Sequence, residues 1–217
     1  MRHSKRATKF LNKHYIRVMK KNKKGLLVII AGPAGSGKDT IIHRLLEMNK
    51  SYKLALSWTT REQRHGERDG DIYHFVTKRE FSDAVSGGKF LEWALVHERH
   101  YYGTLKSSVV GILRGGRVVI REVTIAGIRS LREKFQKEQM LVIFLTVASW
   151  SELKKRIIAR APIATEEIAR RKRSYEYEMK AAPEFADYLV ENPDGKVEDV
   201  IQQIDGIIKS ELKKRNS

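Results

Sequence analysis

Apolar and polar positions along the chain follow two different periods, and the changes between them outline the predicted elements. Predominantly apolar runs rich in Val and Ile occupy 26–30, 118–123 and 141–147. Such runs are typical of strands that are buried on both faces. Between and after them, helical spacing of apolar residues predicts helices over 38–49, 125–138, 149–160, 164–181 and 196–214. This alternation of strands and helices predicts an α/β fold with a parallel sheet core flanked by helices.

The region 57–106 interrupts this rhythm. It is rich in Arg, His, Gly, Tyr and Trp, and its apolar residues fall in short alternating pieces at 71–76 and 89–96. An alternation with a period of two is typical of half-buried strands. We therefore expect an inserted mixed-β lobe of short strands, with one helix near 78–87.

The composition suits one domain with an inserted lobe. The chain has 217 residues, of which 41% are hydrophobic, and it contains no cysteine. It also contains no run of 18 apolar residues, so we expect no membrane span. The lack of cysteine excludes a disulfide scaffold and thiolate chemistry, and it agrees with a cytoplasmic location.

Positive charge is concentrated at the amino terminus. The formal net charge is +17, and residues 1–24 hold ten Lys and Arg and no acid, which leaves +7 for the rest of the chain. A mildly basic body suits phosphorylated small molecules, whereas a strongly basic arm suits RNA or an anionic surface. Residues 1–24 could form a basic amphipathic helix, a targeting peptide or a disordered solubilising extension, and the sequence does not decide between these.

The sequence GPAGSGK at 32–38 fits the spacing G-x-x-x-x-G-K, and it lies between a predicted strand and a predicted helix. Glycines let the backbone curl so that amide groups surround a phosphate, and the following helix adds its positive end. Lys38 then reaches the β- and γ-phosphates as a point charge. This motif predicts a core of the P-loop NTPase type. The candidate nucleotide-binding residues are Gly32, Ala34, Gly35, Ser36, Gly37, Lys38, Asp39 and Thr40.

A carboxylate follows the lysine of this motif. Asp39 occupies the position where a hydroxyl residue usually binds magnesium, and Thr40 comes next. Asp39 could hold Mg²⁺ directly or through water, because hard cations accept carboxylates. It could instead stabilise the start of the helix as a negative charge. Both residues are candidate metal ligands.

A second group of residues suggests another anion site beside this loop. Arg61 and Arg64 are three residues apart, and the planar guanidinium group forms two parallel hydrogen bonds with a phosphate. Tyr73 and Tyr102 add hydroxyl donors or stacking faces. Glu92 lies within an apolar stretch, where a carboxylate pairs with a cation or accepts N–H groups from a ligand.

Four stretches give the chain a resemblance to guanylate kinases, which move the γ-phosphate of ATP to GMP. The similarity covers about 25–192. It implies ATP and Mg²⁺ as cofactors, a GMP-like acceptor, and a division into core (25–56, 107–155 and 176–217), substrate lobe (57–106) and helical lid (156–175). The four stretches are GPAGSGKDT, SWTTREQRHGERDGDIYHF, FLEWALVHERHYYGT and SELKKRIIAR.

The resemblance also implies roles for individual residues. The residues that match contacts to the acceptor phosphate are Arg61, Arg64, Tyr73 and Tyr102. Those that match contacts to the base or to the rest of the acceptor are Ser57, Glu92 and Thr104. Those that match the lid arginines or the neighbour of the adenine are Arg156, Arg160, Arg171 and Asn192. Lysine and arginine suit this reaction because phosphoryl transfer requires positioning and charge compensation more than covalent chemistry.

The chain departs from the usual pattern after the second buried strand. Where guanylate kinases usually carry Asp-Ile-Asp, Glu122 matches the first Asp and Thr124 the second. Both are kept as candidate substrate-binding residues. Thr124 cannot accept two N–H donors as a carboxylate does, which leaves the identity of the base open. Ribose 1,5-bisphosphate phosphokinases share the fold and often carry GSGKD, so a sugar bisphosphate is an alternative acceptor. A non-catalytic guanylate kinase-like binding module is the third interpretation.

Overall fold

The computed structural model describes residues 25–64, 66–96, 99–160 and 163–216. Within these ranges, the strands are β1 (Leu26–Ala31), β2 (Lys53–Leu54), β3 (Ser57–Thr59), β4 (Tyr73–Phe75), β5 (Phe90–Val96), β6 (His100–Leu105), β7 (Val118–Glu122), β8 (Met140–Thr146) and β9 (Tyr188–Glu191). The helices are α1 (Lys38–Met48), α2 (Lys78–Ser86), α3 (Lys106–Arg114), α4 (Ile125–Arg132), α5 (Trp150–Arg160), α6 (Thr165–Phe185) and α7 (Val197–Asn216), with a 3-10 turn at Lys137–Gln139.

A parallel sheet with the order β2-β7-β1-β8-β9 forms the core. Every residue of its central strand β1 is buried. Alternate residues of β1 enter two hydrophobic clusters, one shared with helices α3 and α4 and the other with α1 and α7. Burying one such aliphatic side chain stabilises the fold by about 1.5–3 kcal/mol. The sheet is therefore covered on both faces, which explains why the central strand β1 is continuously apolar.

The inserted region forms a second, mixed sheet with the order β4-β3-β6-β5. Strands β3 and β4 are parallel, and β6 is antiparallel to both β3 and β5. One face of this sheet packs on α2, where the Phe81 ring lies 4.5 Å from Phe90 and 5.4 Å from Tyr101. The other face is left for the polar residues described below.

Helix α2 starts with a capping box. The Thr77 hydroxyl accepts a hydrogen bond from the amide of Glu80, and the Glu80 carboxylate accepts one from the amide of Thr77. This pair satisfies amide groups that the first turn leaves without partners. It fixes where the helix begins, and so where Phe81 meets the second sheet.

The predicted α/β class is confirmed, and the differences concern element limits. The helix predicted over 125–138 ends at Arg132, and a 3-10 turn follows at Lys137–Gln139. Helix α3 and strands β2 and β9 were not predicted. No helix in the described part of the chain is long and apolar enough to cross a membrane. The interpretations placed on residues 1–24 lie outside the described residues.

Candidate active site

The loop between β1 and α1 has a backbone that only glycine adopts easily. Gly32 and Gly37 have φ angles of 141° and 93°. A Cβ atom on Gly37 would lie 2.5 Å from Nδ2 of Asn192, and one on Gly32 would lie 2.5 Å from the carbonyl oxygen of Leu145. Glycine is therefore required at both positions by conformation and by space.

The loop delivers Lys38 to the start of α1. Its Nζ donates to the carbonyl oxygens of Gly32 (2.8 Å) and Pro33 (3.0 Å), and it lies 3.3 Å from Oε1 of Glu122. The N-cap residue, Gly37, supplies no side-chain hydrogen bond to the first turn. An uncapped helix start with an adjacent ammonium group attracts phosphate. Asp39 lies in the same first turn.

Asn192 fastens this loop to the end of β9. Its Nδ2 donates to the carbonyl oxygen of Ser36 at 2.8 Å, and the side chain is almost fully buried. Among the described residues, neither Oδ1 of Asn192 nor Oγ of Ser36 has a hydrogen-bond partner. Buried polar atoms without partners mark a place where a ligand group can bind.

Glu122 connects the loop with the second sheet. Its Oε1 faces Lys38, and its Oε2 accepts a hydrogen bond from the Tyr73 hydroxyl at 3.0 Å. Burial alone would raise the pKa of Glu122, but Lys38, Tyr73 and Arg121 together hold it below its usual value. Burial, with Glu122 and Asp39, raises the pKa of Tyr73. The carboxylate is thus ionised and the phenol protonated at neutral pH.

Strand register collects the predicted acceptor residues on one face of the second sheet. Tyr73, Ser57, Thr104 and Glu92 lie abreast on its four strands. Tyr102 lies two residues before Thr104 on β6, and residues two apart share a face. Five predicted residues from four separate strands therefore form one surface.

Arg61 lies beside this surface, and its charge is balanced by Glu67. Its two terminal nitrogens each lie 2.9 Å from an oxygen of Glu67, and its Nε donates to the Tyr102 hydroxyl at 3.1 Å. Burial would raise the pKa of Glu67, but Arg61 and the amide of Arg64 hold it below its usual value. Arg64 itself is exposed at the rim. Glu67 was not predicted as part of the site.

A buried hydrogen-bond chain lies at the Glu92 end of the row. The Thr104 hydroxyl donates to Oε1 of Glu92, and Nε of Arg121 donates to Oγ1 of Thr104 at 2.6 Å. Arg121 is 2% exposed and also donates to the carbonyl oxygen of Ala55 at 3.0 Å. Arg121 was not predicted as part of the site: it is a charged residue within the apolar run 118–123, but its position in the sequence does not identify its partners.

Thr124 has a structural role in this state. Its hydroxyl oxygen accepts a hydrogen bond from the amide of Gly127 at 3.2 Å and so caps α4. At this position, where guanylate kinases usually carry the second Asp, the chain therefore has an N-cap residue for α4.

Two of the predicted lid arginines, Arg156 and Arg171, are paired with acids. Arg156 donates to the carbonyl oxygen of Asn192 and lies 2.7 Å from Asp194, with Glu152 as a further partner. Arg171 donates to Glu167 on its own helix at 2.8 Å, and burial lowers the pKa of Arg171.

Among the predicted lid residues, Arg160 ends α5, and its side chain lies outside the described part. The structure thus brings Arg156, but not Arg171, to the residue that fastens the phosphate loop.

Helix α6 brings a further carboxyl group near Lys38. Burial raises the pKa of Glu178, Lys38 opposes the shift and Glu122 adds to it. No sequence signal marks Glu178, because it is one of several acids on a polar helix. Among the described residues, no three His, Asp or Glu side chains form a group that could hold a metal by themselves.

Comparison with known proteins agrees with this geometry. Residues 24–211 match the model of the family described as guanylate kinase. The chain belongs to the guanylate kinase family. This confirms the predicted family and, with it, the predicted class of enzyme, a nucleotide kinase.

Individual relatives cover nearly the same length. The chain is 40% identical to the guanylate kinase of Caldanaerobacter subterraneus subsp. tengcongensis over 87% of this chain and 89% of that protein. It is 37% identical to the guanylate kinase of Clostridioides difficile over 88% and 91%. The crystal structure of guanylate kinase from Anaplasma phagocytophilum superposes with a TM-score of 0.70 at 24% identity, covering 87% and 86% of the two chains; this likeness supports the fold.

Proposed function

We propose that this member of the guanylate kinase family transfers the γ-phosphate of ATP to GMP and so forms GDP. The observation that carries this proposal is the position of Glu122, which binds Lys38 of the phosphate loop with one oxygen and Tyr73 of the second sheet with the other. A donor on the loop and an acceptor on the sheet would therefore lie on either side of one carboxylate. The relatives' names supply the choice of GMP.

The loop residues suit a magnesium-bound nucleoside triphosphate. The glycine backbone, the uncapped first turn of α1 and Lys38 form a cationic cradle that suits phosphate groups. Asp39 and Thr40, on that same turn, would hold Mg²⁺, which usually takes one or two protein ligands and completes its shell with phosphate oxygens and water. When bound, the ion neutralises charge on the β- and γ-phosphates. Asn192, whose Oδ1 has no hydrogen-bond partner among the described residues, would meet the nucleotide beside the loop.

The second sheet suits the acceptor. Because Tyr102 accepts a hydrogen bond from Arg61, its own proton is directed elsewhere and is available for the acceptor phosphate. Arg61, Arg64 and Tyr73 would complete the phosphate contacts. The residues for the remainder of the acceptor are Ser57, Glu92, Thr104, Glu122 and Thr124.

Charge compensation would carry the reaction itself. Lys38 and the lid arginines Arg156, Arg160 and Arg171 would stabilise charge that spreads over the transferring group. The acidic partners of Arg156 and Arg171 would be exchanged for phosphate when the lid closes, and closure excludes water. No general base is needed, because the acceptor phosphate is already anionic.

The same proposal divides the chain into functional parts. The basic extension, residues 1–24, precedes a domain of 25–217. Within that domain, the core comprises 25–56, 107–155 and 176–217, the substrate lobe 57–106, and the lid 156–175. Contact of the extension with RNA or an anionic surface stays a prediction, since these residues are not among those described.

One observation favours a second acceptor. Thr124 caps α4 and offers no carboxylate to a base, so a sugar bisphosphate such as ribose 1,5-bisphosphate is the alternative. A non-catalytic binding module is disfavoured by the complete phosphate loop with Lys38.

A panel of acceptors separates these functions. The protein is incubated with ATP and Mg²⁺ and with GMP, dGMP, AMP, UMP or ribose 1,5-bisphosphate, and ADP formation is measured. The proposal predicts the highest kcat/KM with GMP. Turnover of the sugar with failure of every nucleotide would establish the alternative, and failure to bind ATP in calorimetry would establish a binding module.

A further inference from the structure

Arg121 is a buried cation that the proposed transfer does not use. It lies on β7 in the parallel sheet, opposite Ile29 of β1, and it is 2% exposed. Burial lowers the pKa of Arg121, and the nearby Glu92, Tyr73 and Glu122 oppose that shift. An arginine stays protonated in proteins, and a buried charge is tolerated only with hydrogen-bond partners. The hydrogen-bond partners of Arg121 therefore indicate its role.

These partners tie the core sheet to the acceptor sheet. Nη1 donates to the carbonyl oxygen of Ala55, just before β3, and Nε donates to the Thr104 hydroxyl on β6. A third nitrogen, Nη2, lies 3.8 Å from Oε1 of Glu92 on β5. One guanidinium group thus contacts three segments that build the acceptor surface, and it does so from beneath that surface.

The contact with Arg121 fixes the direction of the Thr104 proton. A hydroxyl group has one proton to donate. Because Oγ1 of Thr104 accepts from Nε of Arg121, this proton goes to Oε1 of Glu92. If Arg121 were absent, the hydroxyl could rotate, and Oε1 of Glu92 would lose this donor.

The remaining oxygen of Glu92 is held from the other side. A Cβ atom built on Gly127 would lie 3.1 Å from Oε2 of Glu92. The first turn of α4 therefore packs so closely against this oxygen that a side chain at position 127 would crowd it. The Glu92 side chain is 5% exposed. Arg121 and Thr104 lie on one side of its carboxylate, and the start of α4 lies on the other. Within the described part of the chain, the Thr104 proton and Nη2 of Arg121 face Oε1, and Oε2 is the second oxygen of this carboxylate.

We propose that Arg121 is a positioning residue of the acceptor site, which directs the Thr104 hydroxyl onto Glu92 and thereby presents Oε2 of Glu92 to an N–H donor on the acceptor's base. This inference rests on the proposed function and deepens it. Since Thr124 caps α4 and brings no second carboxylate, recognition of base N–H groups depends on Glu92. Arg121 acts through Thr104 and Glu92, and its effect falls on the acceptor and not on ATP.

The test compares the KM values for the two substrates. The variant Arg121→Met removes the cation and is expected to raise the KM for GMP about tenfold or more, which is the usual cost of losing a charge-assisted hydrogen bond. Its KM for ATP should stay within about twofold of the wild-type value. Arg121→Lys keeps the charge without the planar fork and should recover part of the loss. A matched control is Arg132→Met, which removes a partly buried arginine that pairs with Asp187 at 2.8 Å at the other end of α4; it should leave both KM values unchanged.

A double-mutant cycle tests the route through Thr104. If Arg121 acts through that hydroxyl, Thr104→Val should raise the KM for GMP in the wild-type background and add little to Arg121→Met. If the two substitutions raise the KM for GMP independently, so that their effects add in the double variant, the inference is overturned. So would equal changes in both KM values, or a lower melting temperature without a change in KM, because these indicate a purely structural role.

The outcomes also separate this inference from the proposed function. If wild-type protein does not convert GMP, the proposed function fails and the inference fails with it. If wild-type protein converts GMP and Arg121→Met does so with unchanged KM, only the inference fails. Should Arg121→Met not fold, Thr104→Val decides, since it keeps the arginine: an unchanged KM for GMP in that variant would overturn the inference.

Discussion

At the scale of single residues, the acceptor site depends on how Arg61 is held. Glu67 binds both terminal nitrogens, and the Tyr102 hydroxyl oxygen accepts a hydrogen bond from Nε. The guanidinium carbon also lies 5.5 Å from the centre of the Tyr73 ring, a distance at which a cation is attracted to an aromatic face. These contacts restrict the arginine before any substrate arrives, so less conformational entropy is lost when a phosphate binds.

We predict that Arg61→Ala lowers kcat/KM for GMP by about 100-fold or more. Each charge-assisted hydrogen bond contributes about 1.5–3 kcal/mol, and the substitution also releases Tyr102 and leaves Glu67 without its main partner. Calorimetric binding of ATP should change by less than about twofold, because the phosphate loop is separate.

The control for this variant is Arg79→Ala, which removes an exposed arginine on α2, the helix that covers the opposite face of the second sheet. Its kcat/KM should equal that of the wild type. Equal turnover by Arg61→Ala and Arg79→Ala would remove Arg61 from the acceptor site.

Residues that carry a motif were predictable, and residues defined by their neighbours were not. The sequence indicated Arg61, Tyr73 and Glu92 because their types and spacing have a chemical meaning by themselves. Arg121 and Glu178 acquire theirs only when strand β7 and helix α6 are placed beside the site. A single charge in a polar helix or in a strand carries no signal of what will pack against it.

At the scale of elements, α2 holds the second sheet in shape. Its apolar side packs Phe81 and Ala84 against Phe90, and its capping box fixes its first turn. The acceptor residues lie on the opposite face of that sheet, so α2 supports them without contacting a substrate.

We predict that Thr77→Ala lowers the free energy of unfolding by about 1 kcal/mol, the usual cost of losing an N-cap hydroxyl. In a chain of this length, the melting temperature should fall by about 2–4 °C. Calorimetry or thermal circular dichroism would measure this, and the KM values for both substrates should be unchanged.

Ser82→Ala provides the comparison for this cap. It removes an exposed hydroxyl from the middle of the same helix, where alanine has the higher helix propensity. A melting temperature lowered equally in both variants would show that the hydroxyl of Thr77 does not act as a cap.

Long buried strands were easy to predict, and short or edge elements were not. The apolar runs of β1, β7 and β8 agree with the structure to within one residue at either end. Strand β9 has four residues with only Val190 buried, so it lacks an apolar run. Helix α3 follows β6 directly and has no side-chain N-cap, so no start signal marks it.

At the scale of the whole molecule, two sheets with different roles meet at one carboxylate. The parallel sheet supplies the phosphate loop at the end of β1, and the mixed sheet supplies the acceptor surface. Glu122, at the end of β7, bonds to Lys38 and Tyr73 and so links them. Under the proposed function, this arrangement would place two anionic substrates close together while lysine and arginine side chains offset their repulsion.

The most direct test of this account follows the transferred group. The protein is incubated with γ-labelled ATP, Mg²⁺ and GMP, and the products are separated at partial conversion. The account predicts that the label appears in GDP, with one ADP formed for each labelled GDP and little label in inorganic phosphate. Label released as inorganic phosphate at the same rate with and without GMP would contradict it, because the two sites would then not act together.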